Sequence, residues 1–143
     1  MTRADWIILA LSCAKSRTLS PVQLQKSLFL LGKELPEEVG SDYYRFVAHN
    51  YGPFDRAIYS DASVLSAGGF VAILPAPGRR YSTYSLTPMG VNYSEALTQA
   101  APSRALAYLV RVVEWVQGRS FADLLRSVYA RYPEYRANSV FQE

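Results

Sequence analysis

The chain has one cysteine, Cys13, and one histidine, His49, in 143 residues. A single thiol excludes an intramolecular disulfide and a cysteine-built zinc cage, and one imidazole leaves little from which to assemble a metal site. Lysine is nearly as scarce: Lys15, Lys26 and Lys33 are the only three among 15 basic residues, and the other twelve are arginine. No apolar run approaches the ~20 residues of a membrane-spanning helix. No charged leader with an apolar stretch and a small-residue cleavage site opens the chain, so a cytoplasmic protein without membrane contact is expected. Walker, GxGxxG, HExxH, GxSxG and EF-hand patterns are missing as well. Cys13 lies in the most apolar segment, where thiols are ordinarily inert packing. His49 precedes a turn that a side-chain bond would fix. These absences together predict a non-enzyme with no cofactor and no metal.

What is present describes one globular domain. Half of the residues are apolar and 19% are charged, the net charge is +3, and the length suits a single core. The excess of arginine would suit phosphate or carboxylate recognition through its planar fork. A codon preference would produce the same count.

Residues 5–15 (DWIILALSCAK) are apolar nearly all round a helical wheel and predict a buried helix. Ser20-Pro21 starts a second helix, with serine as cap and proline at the first helical position. Its stripe of Leu24, Leu28, Leu31 and Leu35 faces the core. Val22 and Phe29 lie on the far side beside Lys26 and Lys33, so something must cover that side too. Pro36–Gly40 reads as a loop and 43–49 (YYRFVAH) as a strand, with Tyr44, Phe46 and Ala48 on one face.

The Asn50-Tyr51-Gly52 break is followed by Pro53, read as opening a third helix to about Ala67 with Phe54, Ile58 and Leu65 buried. Gly68-Gly69 ends it. FVAIL (70–74), a Pro/Gly loop and YSTYSL (81–86) predict a hairpin, which the strand at 43–49 could join as a third member. Thr87-Pro88 begins a helix to about Gln99. After the short Ala101-Pro102 break, helices at 103–117 and from Ser120 to before Pro133 complete the chain, with an irregular tail from Tyr135.

Helix, helix, helix, hairpin, helix is the order of a winged helix-turn-helix, an α+β fold with a small antiparallel sheet. The expected organisation is a winged-helix domain over 1–100 and a C-terminal helical extension, 101–143, packed on it as one compact unit. The strings Leu24-Gln25-Lys26, Tyr51-Gly52-Pro53-Phe54 and Leu86-Thr87-Pro88-Met89-Gly90, in that order, carry a resemblance. Over roughly 20–100, and in YPEYRANS (132–139), the chain resembles small bacterial winged-helix proteins with LQK, YGPF and LTxxG signatures. In pattern these are related to the Panacea (SocA-like) antitoxin domains, in which a valine stands where this chain has Phe54. The resemblance implies a bacterial regulator or antitoxin-like module and supplies no catalytic residue.

A wheel over 53–67 turns Arg56, Tyr59, Ser60 and Ser63 outward, as a face that could read double-stranded DNA. Arg79 and Arg80 stand at the wing tip, placed for phosphates. A solvated helix face and ordinary loop arginines would look the same, and the single arginine on the helix is modest for DNA. Asp61 falls within the apolar arc, where a carboxylate requires a partner, an arginine or a tyrosine hydroxyl. In the helix at 103–117, Leu106, Leu109, Val110, Val113 and Val116 form the expected core stripe. Tyr108, Arg111, Val112 and Trp115 form a second stripe of interface-type residues. This second stripe serves either a homodimer or another protein partner, or it packs within the domain against Val22 and Phe29. Two functions follow from this reading: a DNA-binding regulator, or a protein-interaction module that does not bind DNA.

Overall fold

The computed structural model describes residues 1–142. Its architecture is mixed α+β, with seven α-helices and two small antiparallel sheets among the described residues. Helix α1 (Arg3–Cys13) is the hub. Every residue from Asp5 to Leu11 is buried, and the helix packs on all sides against later elements. The one carboxylate among them is held: Asp5 accepts from the Thr2 N–H and from the Tyr93 hydroxyl, both at 2.8 Å. A tight turn leads into β1 (Thr18–Leu19). Helix α2 (Pro21–Glu34) then starts on a capping box in which Ser20 Oγ accepts from Gln23 N and Gln23 Oε1 accepts from Ser20 N.

The next stretch departs from expectation. Pro36–Val39 is a single helical turn, α3, rather than a loop. Only Val47–His49 of the predicted strand is extended pairing, as β2. Tyr43 and Tyr44, neighbours in sequence, are both buried, which breaks strand alternation. The Tyr43 hydroxyl donates to the Leu28 carbonyl at 2.6 Å, and the Tyr44 hydroxyl to Asp61 at 2.6 Å. These bonds pull both rings inward.

Pro53 does not open a helix. It lies in β3 (Gly52–Phe54), opposite Ala48 in a hairpin with β2. Helix α4 (Arg56–Ala67) begins three residues later, capped by Asp55, whose Oδ1 accepts from Ala57 N at 2.9 Å. Proline can sit in this two-stranded ribbon because a ribbon is all edge. The β2 strand therefore pairs with β3 and does not extend the later hairpin.

That hairpin, β4 (Val71–Pro75) and β5 (Ser82–Leu86), is as expected, with Val71 opposite Leu86 and Pro75 opposite Ser82. Its third strand is β1, which gives the sheet order β1-β5-β4. Helix α5 (Pro88–Ala100) starts on Thr87, which accepts from Gly90 N at 3.0 Å, donates to the Gly69 carbonyl at 2.6 Å, and bonds Phe70 through its backbone. A Cβ at Gly90 would lie 2.1 Å from the Phe70 carbonyl oxygen, so only glycine lets the helix approach this closely.

Helix α6 (Ser103–Gln117) packs on α1 and α2 and is pinned at its end by Gln117, which bonds Lys15 N and the Thr18 carbonyl. Helix α7 (Phe121–Arg131) is capped by Ser120 and is followed by a 3₁₀ turn at Pro133–Arg136. The far side of α2 is covered by this C-terminal segment: Phe29 is fully buried, edge-on to Phe46, Tyr132 and Tyr135 at 4.8–5.3 Å. On α6 the expected core stripe is corrected at one position. Val110 is 46% exposed, whereas Val112 is buried. Packing against both α1 and α2 sets the buried arc of α6, and Val112 falls within it.

Candidate functional site

Three places gather the side chains of interest. The first is the outer side of α4 and the hairpin loop. Gln25 fixes the start of α4 to α2, accepting from Asp55 N at 3.0 Å and donating to Asp55 O at 2.9 Å. The second oxygen of Asp55 accepts from Arg45 N at 2.8 Å. Arg56, Ser60 and Ser63 are exposed, as the wheel predicts, and Val64 lies out among them at 71%. Tyr59 is corrected. It is half-buried, stacked parallel on Tyr84 at 5.9 Å and edge-on to Phe54 at 5.6 Å. Burial first, then the neighbouring Tyr84, pushes its hydroxyl up to about 12. Tyr59 therefore belongs to packing on the sheet, not to the outward face.

Asp61 is satisfied by both of the partner types expected: Arg3 Nε donates at 2.9 Å and the Tyr44 hydroxyl at 2.6 Å. Arg79 and Arg80 are exposed on a loop closed by backbone bonds between Ala76 and Tyr81 and between Arg79 and Ala76.

The second place is a pocket of about 180 Å³ in which two of the sequence motifs meet. Gln25 and Lys26 of α2 line it together with His49, Tyr51, Gly52, Phe54 and Tyr59. Gly52 has φ +89°, the left-handed value that the turn after Asn50-Tyr51 requires. Lys26 is only 3% exposed, and its ammonium donates to the Pro53 carbonyl at 3.0 Å. Loss of water around it pulls the lysine down to about 7. Sequence reasoning left Lys26 among the polar residues of the far side. A usable signal was its spacing: Val22 and Phe29, four residues before and three after, put an apolar residue on either side of the lysine on one helix face.

The third place is a groove of about 260 Å³ between α6 and α7. It is lined by all four residues of the second stripe, Tyr108, Arg111, Val112 and Trp115, facing Leu30, Val128, Arg131 and Tyr132. Across this groove the stripe faces Leu30 of α2 and Val128, Arg131 and Tyr132 of the C-terminal segment. Arg111 is exposed, Trp115 is half-buried with Arg119 over its ring at 5.0 Å, and Arg131 pairs with Glu34.

Cys13 and His49 are built into separate environments. Cys13 ends α1 half-buried, and burial pushes its thiol up, away from the reactive thiolate. His49 is exposed and stacks on Phe54 at 4.6 Å. Among the described residues, no three His, Cys, Asp or Glu side chains gather where they could hold a metal ion. No helix there is long and apolar enough to cross a membrane. Compared with known protein families and with curated proteins, the chain matches none.

Proposed function

We propose that the chain is a winged-helix DNA-binding regulator of bacterial, antitoxin-like type. The observation that carries this reading is the connectivity α1-β1-α2-α4-β4-β5 with sheet order β1-β5-β4. In a winged helix the helix before the hairpin lies in the major groove and the hairpin loop follows the backbone. Here that helix is α4, and its outward Arg56, Ser60 and Ser63 are open to solvent, as are Arg79 and Arg80 on the loop. The β2–β3 hairpin and α3 are then an insertion between the two helices of the motif. The LQK, YGPF and LTxxG signatures agree with this assignment.

The test is fluorescence anisotropy with a random-sequence duplex across a salt series. Binding should weaken steeply with salt, and Arg79→Ala/Arg80→Ala should lower the log–log slope by about two. No rise in anisotropy at low salt would remove DNA from the function, and an unchanged slope would remove the loop.

A second reading is favoured by a specific observation: the outward face of α4 carries one cation, Arg56, beside an exposed Val64. Phosphate contacts supply most DNA affinity, so a face this sparse also suits a protein-interaction module. Its docking residues would be Tyr108, Arg111 and Trp115 of the second stripe, with the buried Val112 behind them, for a second copy of the chain or another protein. Sedimentation as a monomer at high concentration would end the homodimer form of this reading.

A further inference from the structure

Lys26 carries a buried amine that, when charged, the described residues leave short of partners. An ammonium has three donors and no acceptor. The Pro53 carbonyl takes one of them at 3.0 Å, and among the described residues Lys26 has no second hydrogen-bond acceptor and no carboxylate partner. The groups around it do not answer the charge. The pocket that Lys26 lines adds His49 from β2, Tyr51 from the turn and Tyr59 from α4, and no carboxylate. From α7, Tyr129 places its ring beside Gly52 and donates its hydroxyl to Ser139 at 2.7 Å.

The space next to the ammonium is kept open by the backbone. A Cβ at Gly52 would sit 3.4 Å from Lys26 Cε and 3.7 Å from Nζ, and none is there. The pocket beyond is walled by Val22, Phe54 and Tyr59 and measures about 180 Å³. A cavity of roughly 150 Å³ accepts benzene, so a ring or branched chain of that size bearing one small charged group fits.

We infer that this pocket binds a small monocarboxylate with a flat apolar body, the carboxylate received by the Lys26 ammonium and the body lying against Val22, Phe54 and Tyr59. One cation balances one negative charge. A phosphate monoester would bring a second charge to apolar walls, where it would stand unpaired. Binding also supplies acceptors that the described residues do not give Lys26, with charge-assisted bonds stronger than neutral ones. The site is separate from the outward α4 face and from the 75–80 loop, so it stands whether or not the chain binds DNA.

Benzoate is the probe, with benzamide as its uncharged counterpart, titrated calorimetrically into the full chain near pH 8 in two buffers of different ionisation enthalpy. Benzoate should bind saturably at millimolar concentration with uptake of protons, because a lysine near 7 is mostly neutral at that pH and becomes charged beside the carboxylate. Benzamide should not bind, and Lys26→Met should weaken benzoate about tenfold or more and abolish proton uptake. Should that variant fail to fold, NMR of isotopically labelled lysine in the wild-type protein gives the same answer, since benzoate should raise the Lys26 titration midpoint. Absence of saturable benzoate binding, equal binding of benzamide, or an unmoved Lys26 midpoint overturns the proposal.

Discussion

Asp61 and Lys26 both place an ionisable group among apolar neighbours, and among the described residues only Asp61 finds a full set of partners. Asp61 lies on α4 within reach of Arg3 on α1 and Tyr44 from the segment after α3, so three distant stretches converge on one carboxylate. Lys26 lies on α2 with, among the described residues, one carbonyl as hydrogen-bond partner and a pocket alongside. A buried ion that is fully paired ties elements together, while one left short of partners costs stability. The same core therefore holds one charge that serves the fold and one that burdens it. Stability measurements can test that contrast directly.

The largest effect should come from Lys26 and should appear as pH dependence. The native lysine gives up its proton near 7, and the unfolded one holds it to about 10.4. Between those values unfolding takes up a proton, so raising the pH favours the native state. Urea unfolding should show stability rising by about 3 kcal/mol from about pH 7 to about pH 9.5, and Lys26→Met should flatten the profile. Above about pH 10 the sign reverses. Tyr43 and Tyr44 are held neutral by burial, and Tyr44 also by its bond to Asp61, so the unfolded tyrosines ionise first. A wild-type profile that is flat below pH 9 would mean that Lys26 is as well paired as Asp61, and the contrast would be gone.

Next in size is Asp61→Ala. It leaves the buried Tyr44 hydroxyl without its acceptor and Arg3 without its partner, for a loss of about 2–3 kcal/mol by urea or thermal unfolding. Asp61→Asn keeps an acceptor for Tyr44 and should cost about half as much. Equal losses in the two variants would show that charge, not the hydrogen bond to Tyr44, is what α4 depends on.

Much of this frame was legible in the chain because local chemistry wrote it. Ser20-Pro21, Thr87-Pro88 and Ser120 cap α2, α5 and α7 where expected, and the loop at 75–80 joins the predicted hairpin. Asp61 was legible as a misfit in an apolar arc. What escaped was set by distant partners. Pro53 has the local look of a helix start, but pairing with Ala48 and the grip of Gln25 on Asp55 move the start to Arg56. The β1 strand is two residues long, too short for any periodicity, and only its pairing with Ser85 and Tyr84 makes it a strand. Tyr59 sits outward on a wheel until Tyr84 arrives from β5 to stack on it. Lys26 escaped for the same reason, since its burial comes from the β3 ribbon and α7, both remote in sequence.

The smallest effect, and the finest test of the contrast, is Arg3→Ala. The Arg3 side chain is 40% exposed, so its pairing with Asp61 is screened by water and salt even though the geometry is good. The expected loss is about 0.5–1 kcal/mol at low ionic strength, shrinking in high salt. A cycle with Tyr44→Phe separates the two donors. If Tyr44 supplies the buried half of the bonding to Asp61, removing it should cost more than removing Arg3 and should show little salt dependence. If Arg3→Ala proves the costlier change, Asp61 is held chiefly by its counter-ion. The feature that distinguishes it from Lys26 would then be the presence of an opposite charge, and hydrogen-bond completeness would be secondary.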